Sequence, residues 1–229
     1  MTNHDEQAED IDVALQTSAT QRTPCVLVLD TSGSMGTDGR IDQLNAALQQ
    51  FEATIRGDET LRQQVILSVI GFGSDVSVLR DWTQADEFTA PQLVAGGTTA
   101  MGEAMTTAHA AVEDLRGKLK AQGIPYTRPW IFLMSDGVPT DNWQGAAAES
   151  RQRCENKRTV VWPFGVTGAD PHALHAFARA DMDVYSLENA KFDEIFRWLA
   201  SSLGALASSR PGQQLQLPPP PATALQISV

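Results

Sequence analysis

A short apolar run that ends in an acidic, hydroxyl-rich loop constrains the fold of this chain more than any other stretch. Residues 26–29 read Val-Leu-Val-Leu, and the sequence DTSGSMG follows directly over residues 30–36. Because the run does not alternate between apolar and polar residues, it predicts a strand that is buried on both faces. Ligands of open α/β sheets bind at the carboxyl ends of the strands. The sequence therefore predicts a ligand site in the loop that starts at Asp30.

Three side-chain oxygens of this loop, on Asp30, Ser32 and Ser34, stand at alternate positions. They can converge on one point if the loop curls, and Gly33 and Gly36 make such curling favourable. Oxygen ligands that include a carboxylate suit a hard divalent cation such as Mg²⁺ or Mn²⁺. Taken alone, the stretch is equally compatible with a polar turn that caps a helix.

Two later loops carry polar residues of the same kind. The sequence AGGTTAMG over residues 95–102 leads into a predicted helix and offers two adjacent hydroxyls, on Thr98 and Thr99. It lacks the lysine that a nucleotide-binding P-loop places after its last glycine, so nucleotide binding is disfavoured. Another apolar run, residues 130–134, is followed by Ser-Asp-Gly, which contains a second carboxylate, Asp136.

In this order, the three loops resemble the metal-ion-dependent adhesion site (MIDAS) of von Willebrand factor A (VWA) domains. The resemblance implies five ligands for one divalent cation, Mg²⁺ or else Mn²⁺ or Ca²⁺: Asp30, Ser32, Ser34, Thr99 and Asp136. Thr98 is the alternative to Thr99, because the spacing does not settle which of the two is the ligand. The resemblance also implies that an Asp or Glu of a partner protein fills a coordination position that faces solvent.

Helical and strand patterns alternate along the chain, which predicts an α/β fold. We expect a doubly wound, Rossmann-like open sheet that is mostly parallel, with helices on both faces. Residues 76–82 follow a short turn and alternate more than the other strands, so they predict one antiparallel edge strand. The predicted domains are an acidic disordered arm (1–22), a VWA domain (23–207) and a Pro-rich disordered tail (208–229). A tail segment that a partner recognises is the alternative for the last of these.

The composition limits the partners. The 229 residues carry a net charge of −11, so nucleic acid and anionic lipid should repel the chain, and we expect neither nucleic acid nor a membrane as a partner. Two cysteines are too few for a disulfide framework. The acidic residues 1–12 do not have the pattern of a secretory signal, so the expected location is the cytoplasm.

Within the family, the sequence resembles the bacterial cytoplasmic branch associated with tellurite resistance (TerY-like). Residues 29–35, 67–72, 132–143 and 196–199 carry this resemblance, which covers about residues 24–206. It implies a binding module of a stress or metal-response system. It also implies that a Ser/Thr kinase or a PP2C-like phosphatase is the partner.

Catalysis is the alternative use of the same carboxylates, as in a Mg²⁺-dependent phosphohydrolase that uses Asp30. Such enzymes usually carry a second carboxylate two residues after the first, where this chain has Ser32. A serine nucleophile needs a histidine base, and none of the four histidines stands in the three loops. We therefore expect a protein-binding module and not an enzyme.

Overall fold

The computed structural model describes residues 20–187, 191–209, 217–218, 220–221 and 224–227. Its strands are β1 (Thr23–Asp30), β2 (Val65–Phe72), β3 (Val76–Gln84), β4 (Trp130–Ser135), β5 (Val160–Val166), β6 (Val184–Leu187) and β7 (Ala224–Ile227). Its α-helices are α1 (Arg40–Gly57), α2 (Glu59–Gln64), α3 (Met101–Ala121), α4 (Trp143–Glu155), α5 (Pro171–Ala176) and α6 (Phe192–Ala207). A 3₁₀ turn, Gly33–Gly39, precedes α1.

The strands form one sheet in the order β3-β2-β1-β4-β5-β6-β7. Strand β1 is parallel to β2 on one side and to β4 on the other, and every residue of these three strands is buried. Helices α1 and α6 pack on one face, while α3, α4 and α5 pack on the other. The continuous apolar runs thus predicted the central strands correctly, since each is covered on both faces. The predicted α/β class and the mostly parallel sheet are confirmed.

Among the six strands β1 to β6, one is antiparallel to its neighbour, the edge strand β3, as predicted. The seventh strand, β7, extends the sheet from the C-terminal tail and runs antiparallel to β6. The sequence analysis did not predict this strand, which residues 224–227 form within the Pro-rich tail. The four-residue strand β6 would otherwise present unpaired backbone groups along its outer edge, and β7 satisfies them. The predictions for the acidic arm and for the rest of the tail concern residues that lie mostly outside the described ranges, and they stay predictions.

The order of the strands decides where the functional loops meet. The chain passes from β1 to β2 on one side and reaches β4 on the other, so the direction of winding reverses between β1 and β4. Ligands of doubly wound sheets bind at such a reversal. The second loop is fixed to the first by two backbone hydrogen bonds, from Gly96 to the Thr31 carbonyl (2.8 Å) and from Gly33 to the Gly97 carbonyl (3.0 Å). All three polar loops therefore lie at one end of the sheet.

Helix α2 was not predicted. Helix α1 ends at Gly57, and Asp58 then accepts a hydrogen bond from the Leu61 backbone N–H at 2.9 Å and starts a second short helix. In the part of the chain that the structure describes, no helix combines the length and the apolar character needed to cross a bilayer.

Candidate metal centre

The carboxylate of Asp30 is fixed through both of its oxygens. Oδ1 accepts a hydrogen bond from the Ser32 backbone N–H at 2.7 Å, and Oδ2 accepts one from the Ser135 hydroxyl. The Ser135 hydroxyl oxygen in turn accepts the Gly137 N–H at 3.1 Å. Asp30 has no solvent-accessible surface. The end of β4 therefore sets the orientation of a side chain at the end of β1.

A chain of hydrogen bonds joins the first loop to the third. Ser32 Oγ lies 3.0 Å from Ser34 Oγ, and the Ser34 hydroxyl donates to Asp136 Oδ1 at 2.6 Å. Ser34 and Asp136 are 102 positions apart in the sequence. Four of the five predicted ligands thus belong to one hydrogen-bond network, in which the Ser32 backbone N–H provides the link to Asp30.

Thr99, the fifth predicted ligand, faces the same space, whereas Thr98 does not. A Cβ atom added to Gly137 would lie 3.0 Å from Thr99 Oγ1 and 3.8 Å from Asp30 Oδ2, so both oxygens border the space that the missing side chain leaves. The backbone N–H of Thr99 donates to Thr140 Oγ1 at 3.0 Å, which fixes it against the third loop. Thr98 is exposed, and its N–H donates to Ser74 Oγ at 3.0 Å. The structure therefore brings Thr99, and not Thr98, to the carboxylates.

The two aspartates repel each other electrostatically. Burial raises the pKa of the Asp30 carboxyl above its ordinary value, and the nearby Asp136 charge acts in the same direction. Hydrogen bonds from Ser135 and Ser32 oppose this shift, because they stabilise the ionised form. A cation between the carboxylates would relieve both the repulsion and the loss of hydration.

Arg40 is part of the site although the sequence analysis did not identify it. Its Nη1 donates to Asp136 Oδ2 at 2.8 Å and to the Thr167 carbonyl at 3.1 Å. Arg40 is the first residue of α1, and nothing near it in the sequence indicates a partner 96 positions away. Ser135 was missed for the same reason, since its partner belongs to another strand.

The donor set fits a hard divalent cation. It consists of two carboxylates, Asp30 and Asp136, and the hydroxyls of Ser32, Ser34 and Thr99, all oxygen atoms of the kind that Mg²⁺ and Mn²⁺ prefer. Within the described ranges, no three His, Cys, Asp or Glu side chains come together as a possible metal cluster. Any metal bound here would therefore depend on the hydroxyls as well as on the carboxylates.

Residues 25–138 match the family model of the von Willebrand factor type A domain. The chain belongs to the VWA domain family. The matched segment begins in β1 and ends two residues after Asp136, so it contains all five predicted ligands. No curated protein matches the sequence significantly.

Solved structures support the same fold. A von Willebrand factor type A protein from Catenulispora acidiphila is 18% identical with a TM-score of 0.60, and the alignment covers 81% of this chain and 43% of that one. The vWF domain of the type V pili tip protein Mfa5 from Porphyromonas gingivalis is 13% identical with a TM-score of 0.64, covering 85% of this chain and 99% of that one. Proximal thread matrix protein 1 from the mussel byssus, solved with zinc in its MIDAS motif, is 14% identical with a TM-score of 0.51, covering 80% and 48%.

At these identities the similarity shows the fold alone. The chain spans less than half the length of the Catenulispora and mussel proteins that it matches.

Proposed function

We propose that this VWA domain is a metal-dependent protein-binding module that captures an Asp or Glu side chain of a partner protein. The main support for this proposal is the hydrogen-bond network that joins Asp30, Ser32, Ser34 and Asp136. Thr99 Oγ1 borders the same space. Two facts about the family add support. VWA domains generally mediate protein–protein interaction, and the mussel structure holds zinc in its MIDAS motif.

Each residue has a distinct task in this proposal. Asp30 and Asp136 supply the negative charge that attracts a divalent cation, Mg²⁺ or else Mn²⁺ or Ca²⁺. Ser32, Ser34 and Thr99 supply neutral oxygens, which add no further negative charge around the cation. When bound, the cation offers a positively charged position to a carboxylate oxygen of the partner. Ser34 is exposed, so the site opens to solvent on the side of the first loop.

Two exposed valines stand beside the site loops in the sequence. Val94 directly precedes the second loop and is 78% exposed, and Val138 follows Asp136 by two residues and is 58% exposed. Apolar side chains beside a charged centre favour a protein partner over a free small anion, because they bury area only against another surface.

The position two residues after Asp30 argues against the phosphohydrolase alternative. Ser32 stands there in place of the second carboxylate that such enzymes usually carry. The described histidines lie elsewhere: His109 contacts Ser150, and His172 and His175 belong to α5. We therefore propose binding and not catalysis.

The finer assignment depends on the sequence resemblance alone. On that ground we propose a bacterial cytoplasmic protein of a tellurite-resistance or stress-response system, with a Ser/Thr kinase or a PP2C-like phosphatase as its partner. Affinity capture in Mg²⁺ and in EDTA, followed by mass spectrometry, tests this assignment. We expect a kinase or phosphatase to be captured in Mg²⁺ and lost in EDTA. Equal capture in Mg²⁺ and in EDTA would contradict the assignment.

The adjacent threonines provide a matched pair for testing the metal site. Titration with Mg²⁺ or Mn²⁺ in a calorimeter should show one site in the unmodified protein. Thr99→Val should weaken the affinity by at least about tenfold, as is typical when a metal site loses a supporting oxygen. Thr98→Val should bind like the unmodified protein, because its hydroxyl faces Ser74.

Two results would contradict the proposal: no binding by the unmodified protein, or equal affinities for the two variants. Mg²⁺-dependent release of phosphate from p-nitrophenyl phosphate that disappears in Asp30→Asn would instead support the phosphohydrolase.

A further inference from the structure

Arg40 lies beside the candidate metal centre without belonging to its ligand set. Its guanidinium donates to the Asp136 carboxylate at 2.8 Å and to the Thr167 carbonyl at 3.1 Å. The Arg40 side chain is only 16% exposed, and the Asp136 side chain is fully buried. A buried guanidinium with two acceptors is held in place, unlike a surface arginine that moves among solvent-exposed partners.

The backbone between the first loop and α1 is shaped so that Arg40 reaches this position. Asp38 and Gly39 both have left-handed conformations, with φ angles of 54° and 67°. Such a conformation is unfavourable for a residue other than glycine, and Asp is one of the few that tolerate it. Helix α1 begins immediately afterwards at Arg40. The turn thus directs the first side chain of the helix back towards the third loop.

Counting charges shows what this arginine does to the site. With both carboxylates ionised, Asp30, Asp136 and Arg40 together carry one negative charge in excess. Asp38 lies 3.9 Å from Arg40, but its side chain is 79% exposed, so water screens its charge. Among the three less exposed groups, a divalent cation changes the count to one positive charge in excess, whereas without Arg40 the count would be zero. We propose that Arg40 is a specificity-determining residue that weakens cation binding and strengthens the capture of an anionic carboxylate. This inference rests on the proposed metal-dependent function.

The proposed effects of Arg40 on cation affinity and on carboxylate affinity have opposite signs. This difference distinguishes the proposed role from a merely structural one. Removing the positive charge of Arg40 should tighten cation binding, because a like charge near the cation is lost. The same change should weaken carboxylate binding, because an opposite charge near the anion is lost. An arginine that only stabilises the loops would weaken both interactions when it is replaced.

Mn²⁺ and acetate serve as probes of the full chain. Bound Mn²⁺ enhances the relaxation of water protons, and acetate reduces this enhancement when it displaces coordinated water. We expect Arg40→Gln to bind Mn²⁺ about tenfold more tightly and to need about tenfold more acetate for half of its effect. Arg40→Lys keeps the positive charge near the cation and should stay within about threefold of the unmodified protein in both titrations.

The outcomes separate this inference from the proposed function. If the unmodified protein does not bind Mn²⁺, both the proposed function and the inference about Arg40 fail. If it binds Mn²⁺ while Arg40→Gln binds equally or more weakly, only the role of Arg40 is overturned. Arg40→Met repeats the test should the glutamine variant not fold. If neither neutral variant has a folded circular dichroism spectrum, Arg40 is structural and the inference is overturned.

Discussion

Among single residues, His109 on α3 combines burial with an incomplete set of hydrogen bonds. Its Nε2 lies 2.9 Å from Ser150 Oγ, and the Ser150 hydroxyl donates to the Phe177 carbonyl at 2.6 Å. Because the Ser150 proton is engaged there, Nε2 of His109 is the donor and Nδ1 keeps its lone pair. Among the described residues, Nδ1 has no hydrogen-bond partner. Burial lowers the pKa of His109 to about 4, since a charged ring would lose its hydration.

This depressed pKa predicts an acid-sensitive stability. Below the ordinary histidine pKa of about 6.5, the unfolded chain binds a proton at this position while the folded protein does not, until the pH approaches 4. The free energy of unfolding should therefore fall by up to about 3 kcal/mol as the pH drops through this window. Urea denaturation at several pH values between 7.5 and 4 measures the slope, which should be shallower in His109→Gln.

The exposed His172 provides the control, because His172→Gln should keep the slope of the unmodified protein. Asp30 acts in the opposite direction, since its raised pKa favours the folded state as the pH falls. All three proteins contain Asp30, so its contribution cancels in the comparison. Identical slopes for His109→Gln and the unmodified protein would refute the prediction.

Single site residues could be predicted from the sequence where the chemistry of their side chains indicates metal binding. Asp30, Ser32, Ser34 and Asp136 were predictable because carboxylates and hydroxyls follow buried strands, and the structure brings them together. Arg40 was not predictable, because only the folded chain brings it to Asp136. The choice between Thr98 and Thr99 depends on the direction in which the backbone points each side chain, and the spacing in the sequence does not give that direction.

At the scale of elements, the third loop closes the amino-terminal end of helix α3. Ala100, which precedes α3, offers no side-chain cap. Asp141 takes over this task from a distance: its carboxylate accepts the Gly102 N–H at 3.2 Å and the Glu103 N–H at 2.9 Å. A negative charge at this end of a helix also interacts favourably with the helix dipole. The loop that contains Asp136 is therefore tied to the helix that follows Thr99.

Replacement of this remote cap should destabilise the protein. Asp141→Ala removes an acceptor from two backbone N–H groups, and we expect the free energy of unfolding to fall by about 1–2 kcal/mol. Urea denaturation measures this change, and hydrogen exchange at Gly102 and Glu103 locates it. Asp114→Ala on the same helix is the control. It breaks only an exposed ion pair with Lys118 and should cost less than about 0.5 kcal/mol. Similar losses in the two variants would show that Asp141 is not a cap.

Elements were predictable where a pattern is long or uniform. Buried strands such as β1 and β4 have no polar interruption, and α1 repeats its apolar residues over five turns. Helix α2 has only six residues, too few to display a helical period. Strand β7 has four, and its pairing depends on the open edge of β6, which belongs to tertiary structure.

On the scale of the whole molecule, the C-terminal tail packs against the main body of the domain at more than one place. The indole N–H of Trp198 on α6 donates to the Pro218 carbonyl at 2.8 Å, and Leu217 packs against the core beneath that helix. The Trp198 ring meets Trp162 of β5 edge-on, with centroids 5.1 Å apart. Strand β7 then pairs with β6. The tail thus connects the last helix to the last strand of the predicted domain.

This connection predicts a coupling between Trp198 and the edge of the sheet. Trp198→Phe keeps an aromatic ring but removes the donor to Pro218, which should lower the free energy of unfolding by about 1 kcal/mol. If that hydrogen bond holds the tail, β7 should leave β6 more often. Amide hydrogens of Val184–Leu187 should then exchange about fivefold faster, as measured by hydrogen–deuterium exchange.

A second tryptophan distinguishes this coupling from a general loss of stability. The Trp82 indole also donates to a backbone carbonyl, that of Ala111 at 3.1 Å, but on the far side of the molecule from β7. Trp82→Phe should therefore cost a similar free energy while leaving β6 protected to within the change in global stability. Equal exchange of β6 in the two variants would mean that the tail pairs with β6 independently of Trp198. Faster exchange in Trp198→Phe alone would assign residues 217–227 to the folded domain and extend it beyond residue 207.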